Sequence, residues 1–277
     1  MSSKTTKGVA LITGAASGIG KNTTFSFAES GATAIIFADF NEKGVQEAAE
    51  MSKKYTTNKE YQCVSVHVDV TDPSSVQAMV DTTLEKFGRI DYFVNSAGVG
   101  SDSSNMVADV SLGEFDKIIN INLKGTLLCN RAVSKAMISQ ESVVFEGHYG
   151  PREIGRGSIV NLGSVNSLGA QPGKVPYTTA KHGVIAITKT AAMEGGPHGI
   201  RVNVVCPSWV DTPMVDRQRE RNPQLDGMIK AIVPGGRIAE PDEIGDAIVF
   251  LCSPAASYIS GTVVVIDNGT SLSVRLN

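Results

Sequence analysis

The chain has 277 residues, 42% of them apolar and 19% charged, which is the make-up of a folded globular protein and not of a disordered one. With 25 basic and 28 acidic residues the net charge is −3, so no basic excess points to nucleic acid or an anionic membrane. The longest apolar runs, such as 32–38 and 263–266, fall far short of the ~20 residues that a bilayer span demands.

The opening MSSKTTKGVALITG reaches only a short apolar stretch before Thr13 and does not read as a secretory signal. Cys63, Cys129, Cys206 and Cys252 stand far apart, with no metal-ligand spacing. They read as buried free thiols of a cytoplasmic protein.

In chain order, the pattern predicts a buried strand over 8–12 and a helix from about 18 to 30. A second strand follows over 34–38, then a helix over 41–54 with Asn41 as its N-cap. Strand character returns over 62–68. Asp72 caps a helix over 73–87 that has Pro73 at its first position. A short strand is predicted over 91–94, then a long helix with room for a bend over 111–139, and a strand over 158–162. A helix over 176–194, a strand over 200–205, a helix over 241–252 and a strand over 263–266 complete the chain. Strands apolar on both faces alternate with helices, which predicts an α/β fold: one doubly wound parallel sheet of about seven strands in a single domain over 1–277.

Two segments depart from the alternation. Residues 141–157 are polar and glycine-rich and read as a solvated surface insertion, with an oligomer or substrate contact as the alternative. Residues 211–237 form a long insertion with a helical middle and the run Arg217, Arg219, Arg221. Insertions at strand ends of such sheets often cover ligands.

Strand one runs straight into Thr13-Gly14-Ala15-Ala16-Ser17-Gly18-Ile19-Gly20. Glycine at 14 permits a tight turn, at 18 a close backbone approach to a pyrophosphate, and at 20 close packing of the helix. The helix N-terminus adds unpaired N–H donors and partial positive charge. Asp39 ends strand two, 19 residues after Gly20, where a carboxylate meets adenosine ribose hydroxyls and repels a 2′-phosphate. Phe40 follows in place of a basic side chain. NAD(H) is therefore favoured over NADP(H), with a helix-capping role for Asp39 as a compatible alternative.

Tyr177 and Lys181 stand four apart and share one helix face. An ammonium beside a phenol lowers its pKa and readies it to exchange a proton with an alcohol or ketone. Ser164 follows a buried strand at the carboxyl end, where α/β sheets bind ligands.

With these residues in place, the chain resembles the short-chain dehydrogenase/reductase family across nearly its whole length. The matching motifs are TGAASGIG (13–20), Asp69 in HVDVT, NSAG (95–98), Asn122 in INLKG, Ser164 in NLGS, YTTAK (177–181) and RVNVVCP (201–207). The resemblance implies that Tyr177 is the acid/base, that Ser164 fixes the substrate oxygen, and that Lys181 binds the nicotinamide ribose and depresses the Tyr177 pKa. It implies a relay water held by Asn122, which also bends the long helix. Asp69 and Val70 would meet the adenine. Asn95, Ala97 and Gly98 would line the cofactor channel, Asn95 largely as a brace. Pro207, Val210 and Thr212 would lie near the nicotinamide and phosphates, with Ser17 and Ile19 in the phosphate turn.

The chain departs from the family pattern at Ser208, where glycine is usual, at Ser96 in NSAG, and at Asn268, whose side chain tolerates left-handed backbone. Val165, Asn166, Gln171, Trp209 and Met214 are the candidate substrate wall, fitting a medium, mostly apolar alcohol or ketone. Met228, Ile229 and Ile232 are either the apolar face of a lid or ordinary packing. The three arginines could bind a carboxylate or a carrier phosphopantetheine, but a solvated face is favoured, because a spacing of two on a helix does not converge on one point. The four histidines do not cluster, so no metal is expected. The family also implies a homodimer or homotetramer; apolar residues over 115–137 and the tail SLSVRLN fit such interfaces, and equally an ordinary core and a loose terminus. A place in secondary or lipid metabolism fits the resemblance. The alternatives are an NADP(H)-dependent biosynthetic ketoreductase, such as a 3-oxoacyl-carrier-protein reductase, and a non-redox NAD-binding enzyme.

Overall fold

The computed structural model describes residues 5–272; the tail beyond 272, read above as an interface segment, lies outside them. Strand β1 (Val9–Thr13) is buried throughout and leads into α1 (Gly18–Glu29). Then come β2 (Ala34–Asp39), α2 (Glu42–Ser52), β3 (Gln62–His67), α3 (Pro73–Phe87) and β4 (Tyr92–Asn95). The expected caps are in place: Gly44 N–H donates to Asn41 Oδ1 at 3.0 Å, and Ser74 N–H to Asp72 Oδ1 at 2.9 Å.

The long helix is broken as the sequence hinted. It runs as α4 (Leu112–Ile118), a π-helical segment (Ile119–Lys124) and α5 (Gly125–Ile138). Residues 141–157, read as a surface insertion to which no strand was assigned, are not a loop throughout. They form an antiparallel hairpin, β5 (Val143–Gly147) with β6 (Gly150–Gly155), in which the Arg152 guanidinium lies 5.0 Å from the Phe145 ring centre. The sequence signal failed because most of the hairpin faces solvent, so little apolar alternation is required of it. The chain continues through β7 (Gly157–Leu162), α6 (Val175–Gly195) and β8 (Ile200–Pro207). Residues 211–237 carry two helices, α7 (Pro213–Arg221) and α8 (Leu225–Ile232), before α9 (Pro241–Cys252) and β9 (Val263–Ile266).

Seven strands make one parallel sheet in the order β3-β2-β1-β4-β7-β8-β9. Alternate side chains feed two cores. Ala10, Ile12, Ile35 and Phe37 pack with Phe27, Val45, Ile244 and Ile248 beneath α1, α2 and α9. Val9, Leu11, Ile36 and Phe93 pack with Met79, Cys129, Val133 and Met137 beneath α3 and α5. Three cysteines are buried, but Cys63 is only half-buried, because β3 is an edge strand covered on one side. No helix among the described residues is long and apolar enough to cross a membrane. Asn268 does take the left-handed backbone, at φ 49°.

Candidate active site

The chain leaves β1 for β2 on one side, while β4 lies on the other. This reversal opens a crevice at the carboxyl ends of β1 and β4. Thr13 and Asn95 are register partners there. The Thr13 hydroxyl donates to Asn95 Oδ1 at 3.1 Å and accepts from Ala97 N–H at 3.3 Å. Asn95 is buried and donates to the Thr126 carbonyl at 3.4 Å. It braces the crevice from behind and does not line it. A cleft of about 550 Å³ opens in front of it, running from Asp39 and Asp69 to Ser164, Tyr177 and Lys181.

The glycine turn forms the cleft's near wall. Gly14 has φ +70° and Gly18 φ +53°, a left-handed geometry that side chains resist. A Cβ at position 20 would overlap the Gly14 carbonyl oxygen, and one at 18 would stand 3.2 Å from Thr212 Cγ2. Ser17, Gly18, Ile19 and Gly20 line the cleft, and the two glycines bring only backbone to it.

Asp39 reaches back to this turn, accepting Ala16 N–H at 3.1 Å and Asn41 N–H at 2.9 Å. It thus ties turn, strand and helix start together while lining the cleft. Phe40 is exposed, its ring centre 5.2 Å from that of His67. Asp69 accepts from the hydroxyl and N–H of Thr71 at 2.7 and 2.8 Å, and these bonds hold its carboxyl below the usual range.

At the far end Ser164 leaves β7 as the cap of a short turn, its hydroxyl accepting Asn166 N–H at 3.2 Å. Tyr177 and Lys181 project from α6. Lys181 Nζ donates to the Leu162 carbonyl at 2.7 Å and lies 5.6 Å from the Tyr177 ring centre. Burial drives the Lys181 ammonium down to about 8. Burial also raises the Tyr177 phenol, opposed by a hydrogen bond with the Ser164 hydroxyl. In the chain alone, burial sets the direction for both groups.

Asn122 sits in the π segment, a form often found at functional sites. Its amide accepts Val99 N–H and donates to the Val99 carbonyl, both at 2.8 Å. The side chain pins the 98–99 wall, and Asn122 itself does not line the cleft.

Val70, Ala97, Gly98, Pro207, Val210 and Thr212 line the cleft, as does Ser208. Among the substrate candidates, only Met214 does. Val165, Asn166 and Gln171 lie outside the lining, on the turn beyond Ser164 and on the loop that follows it. Trp209 instead packs with Val215, Leu225, Ile229 and Val233 in a small core under the 211–237 insertion. That core also claims Ile229 from the lid face, and it leaves Met228 exposed.

Sequence reading missed Val99 and Ile121, and it named Ser96 and Arg217 without placing them in the lining. Ser96 and Val99 flank residues it did single out; Arg217 needed the helix orientation. Among the described residues no three His, Cys, Asp or Glu side chains converge as metal ligands. A nicotinamide dinucleotide suits what is present: a glycine-rich turn at a helix N-terminus, a carboxylate at the β2 end, and paired hydroxyls at the other end.

Residues 14–271 match the family model described as enoyl-(acyl carrier protein) reductase. The chain is 44% identical over 268 residues to the short-chain dehydrogenase anuF of Penicillium roqueforti, covering 97% of each. It is 43% identical over 265 residues to the short-chain dehydrogenase fogB of Aspergillus ruber, covering 96% of this chain and 97% of that one. The crystal structure of levodione reductase superimposes with a TM-score of 0.87 at 33% identity, covering 98% of this chain and all 100% of the other.

Proposed function

This chain belongs to the short-chain dehydrogenase/reductase family, and we propose that its cleft transfers a hydride between NAD(H) and a secondary alcohol or ketone of medium, mostly apolar character. The observation that carries the reading is that the Ser164 and Tyr177 hydroxyls meet in one cleft with Lys181, while Asp39 stands at its other end. The bound nicotinamide supplies or takes up the hydride. In the reductive direction the Ser164 hydroxyl donates to the substrate carbonyl oxygen and fixes it. The Tyr177 hydroxyl gives that oxygen its proton, and the Lys181 ammonium stabilises the phenolate left behind. Oxidation reverses each transfer. Asn122 holds Val99 and Gly98 in place along the channel. The glycine turn and Thr212 take the phosphates, and Asp39 takes the ribose hydroxyls.

The Asp39 carboxylate supports NAD(H), since a 2′-phosphate beside it would meet like charge. Exposed Leu112 and Leu127 on α4 and α5, and Met193 on α6, support assembly into a dimer or tetramer. The four unpaired thiols suit a reducing compartment, the cytoplasm.

The test is fluorescence titration with NADH and NADPH, followed by a panel of secondary alcohols and ketones read at the nicotinamide absorbance. Tight NADH binding with turnover is expected. Preferential NADPH binding would overturn the Asp39 argument and favour a biosynthetic ketoreductase. NADH binding with no turnover across the panel would favour a non-redox role.

A further inference from the structure

Helix α7 carries three arginines with three different fates. Arg219 is surrounded by carboxylates, contacting Asp211 at 2.6 Å, Asp216 at 2.8 Å and Asp226 at 3.0 Å. Arg221 reaches across to Asp102, donating to its carbonyl at 2.9 Å and to its carboxylate at 3.3 Å. Arg217 lines the cleft, is exposed, and has no hydrogen-bond or ion-pair partner among the described residues.

The direction of Arg217 follows from its neighbours. Met214, Arg217 and Arg221 occupy one stripe at i, i+3 and i+7. Met214 lies against Gly100, where a Cβ would stand 3.4 Å from its sulfur, and Arg221 grips Asp102. The stripe therefore faces the segment after β4. That segment borders the Tyr177 end of the cleft: Lys174, one turn before Tyr177, donates to the Ser103 carbonyl at 3.0 Å. The remaining cation in the lining is Lys181, which is buried. The lining carboxylates, Asp39 and Asp69, lie at the opposite end. Arg217 is thus an uncommitted guanidinium at the substrate mouth of a largely apolar cleft.

We propose that Arg217 binds an anionic group, a carboxylate or phosphate, carried by the substrate, so that the substrate class is an apolar alcohol or ketone with one anionic end. This rests on the reading of the cleft as a dehydrogenase site. A guanidinium matches such oxyanions with two parallel N–H donors. The cofactor's pyrophosphate offers the same chemistry from a different source, and the experiment separates the two.

Calorimetric titration of the protein–NADH complex with octanoate and with its neutral counterpart octanamide needs no turnover. Octanoate should bind wild type at least about tenfold more tightly, the size of a charge-assisted hydrogen bond. Arg217→Ala should erase that preference, Arg217→Lys should keep most of it, and both should bind NADH within twofold of wild type. Equal affinities in wild type, including no measurable binding of either probe, would overturn the proposal, as would a preference that survives Arg217→Ala. A tenfold loss of NADH affinity in Arg217→Ala would also overturn it and give the guanidinium to the pyrophosphate. A protein that binds NADPH and not NADH sinks only the cofactor reading; the same comparison is then read on the NADPH complex.

Discussion

Lys181→Met separates what the buried ammonium does for chemistry from what it does to stability. The Lys181 ammonium is almost fully enclosed and makes one hydrogen bond, to the Leu162 carbonyl at 2.7 Å. Its pKa falls from an ordinary 10.5 to about 8 because burial favours the neutral amine. Between those two values the folded chain binds fewer protons than the unfolded one, so stability rises with pH through that window. Below about pH 8 the full penalty stands, and a shift of this size is worth roughly 3 kcal/mol. Methionine has similar length and no charge. It gives up the bond to Leu162, worth about 1–2 kcal/mol. Lys181→Met should therefore be roughly 1–2 kcal/mol more stable than wild type at about pH 7, and the gap should narrow by pH 9. Burial also raises the neighbouring Cys206 thiol, and the Lys181 charge is among the groups that pull it back down. Urea unfolding at the two pH values measures the gap. A variant less stable than wild type at pH 7, or a gap that does not change with pH, would refute the reasoning. Turnover should be lost in either case.

Tyr177→Phe should lower turnover by several orders of magnitude with NADH affinity retained, because only the proton donor is removed; near-normal turnover in a steady-state assay would remove the tyrosine from its role. Asp39→Ala should narrow the NADH/NADPH affinity ratio at least tenfold, and it also strips the acceptor from Ala16 and Asn41. An unchanged ratio in parallel titrations would place ribose selection elsewhere. Gly20→Ala forces a methyl into the Gly14 carbonyl and should abolish NADH binding or folding, which circular dichroism and titration together distinguish; normal binding would contradict the packing argument. Arg201→Met should cost about 2–4 kcal/mol in urea unfolding. Its buried guanidinium holds the carbonyls of Leu251, Cys252, Ser253 and Ile259 at the end of α9, and removal leaves them without that donor.

The parallel sheet was readable because its central strands are buried on both faces and are mostly apolar. The 8–12 and 34–38 runs declare themselves, and Asn41 and Asp72 mark helix starts through the one bond each must accept. The phosphate turn was readable for a similar reason: at 14, 18 and 20 backbone geometry leaves glycine as the fit. The hairpin at 143–155 was not readable, since Val144 and Tyr149 lie exposed and the turn answers to no core. Nor was the substrate wall. Trp209 sits next to cleft residues in sequence, yet its ring turns into the small core with Leu225 and Val233. Adjacency along the chain does not fix the direction of a side chain at the end of a strand.

The arginines of α7 show how far spacing carries and where it stops. Two residues advance a helix by about 200°, so neighbours in the 217-219-221 run point in nearly opposite directions. That suffices to reject a single anion shared by all three. It does not say which of the three meets the cleft, because the answer depends on how α7 rotates about its own axis. Two contacts fix that rotation. Val215 is buried in the small core on one side, and Arg221 is bonded to Asp102 on the other. Once both hold, Arg219 falls among Asp211, Asp216 and Asp226, and Arg217 falls at the cleft. A run of like charges is therefore neither wholly a solvated face nor wholly a binding site. Its members are sorted by the packing of residues between them, and in α7 that sorting leaves one guanidinium without a partner among the described residues.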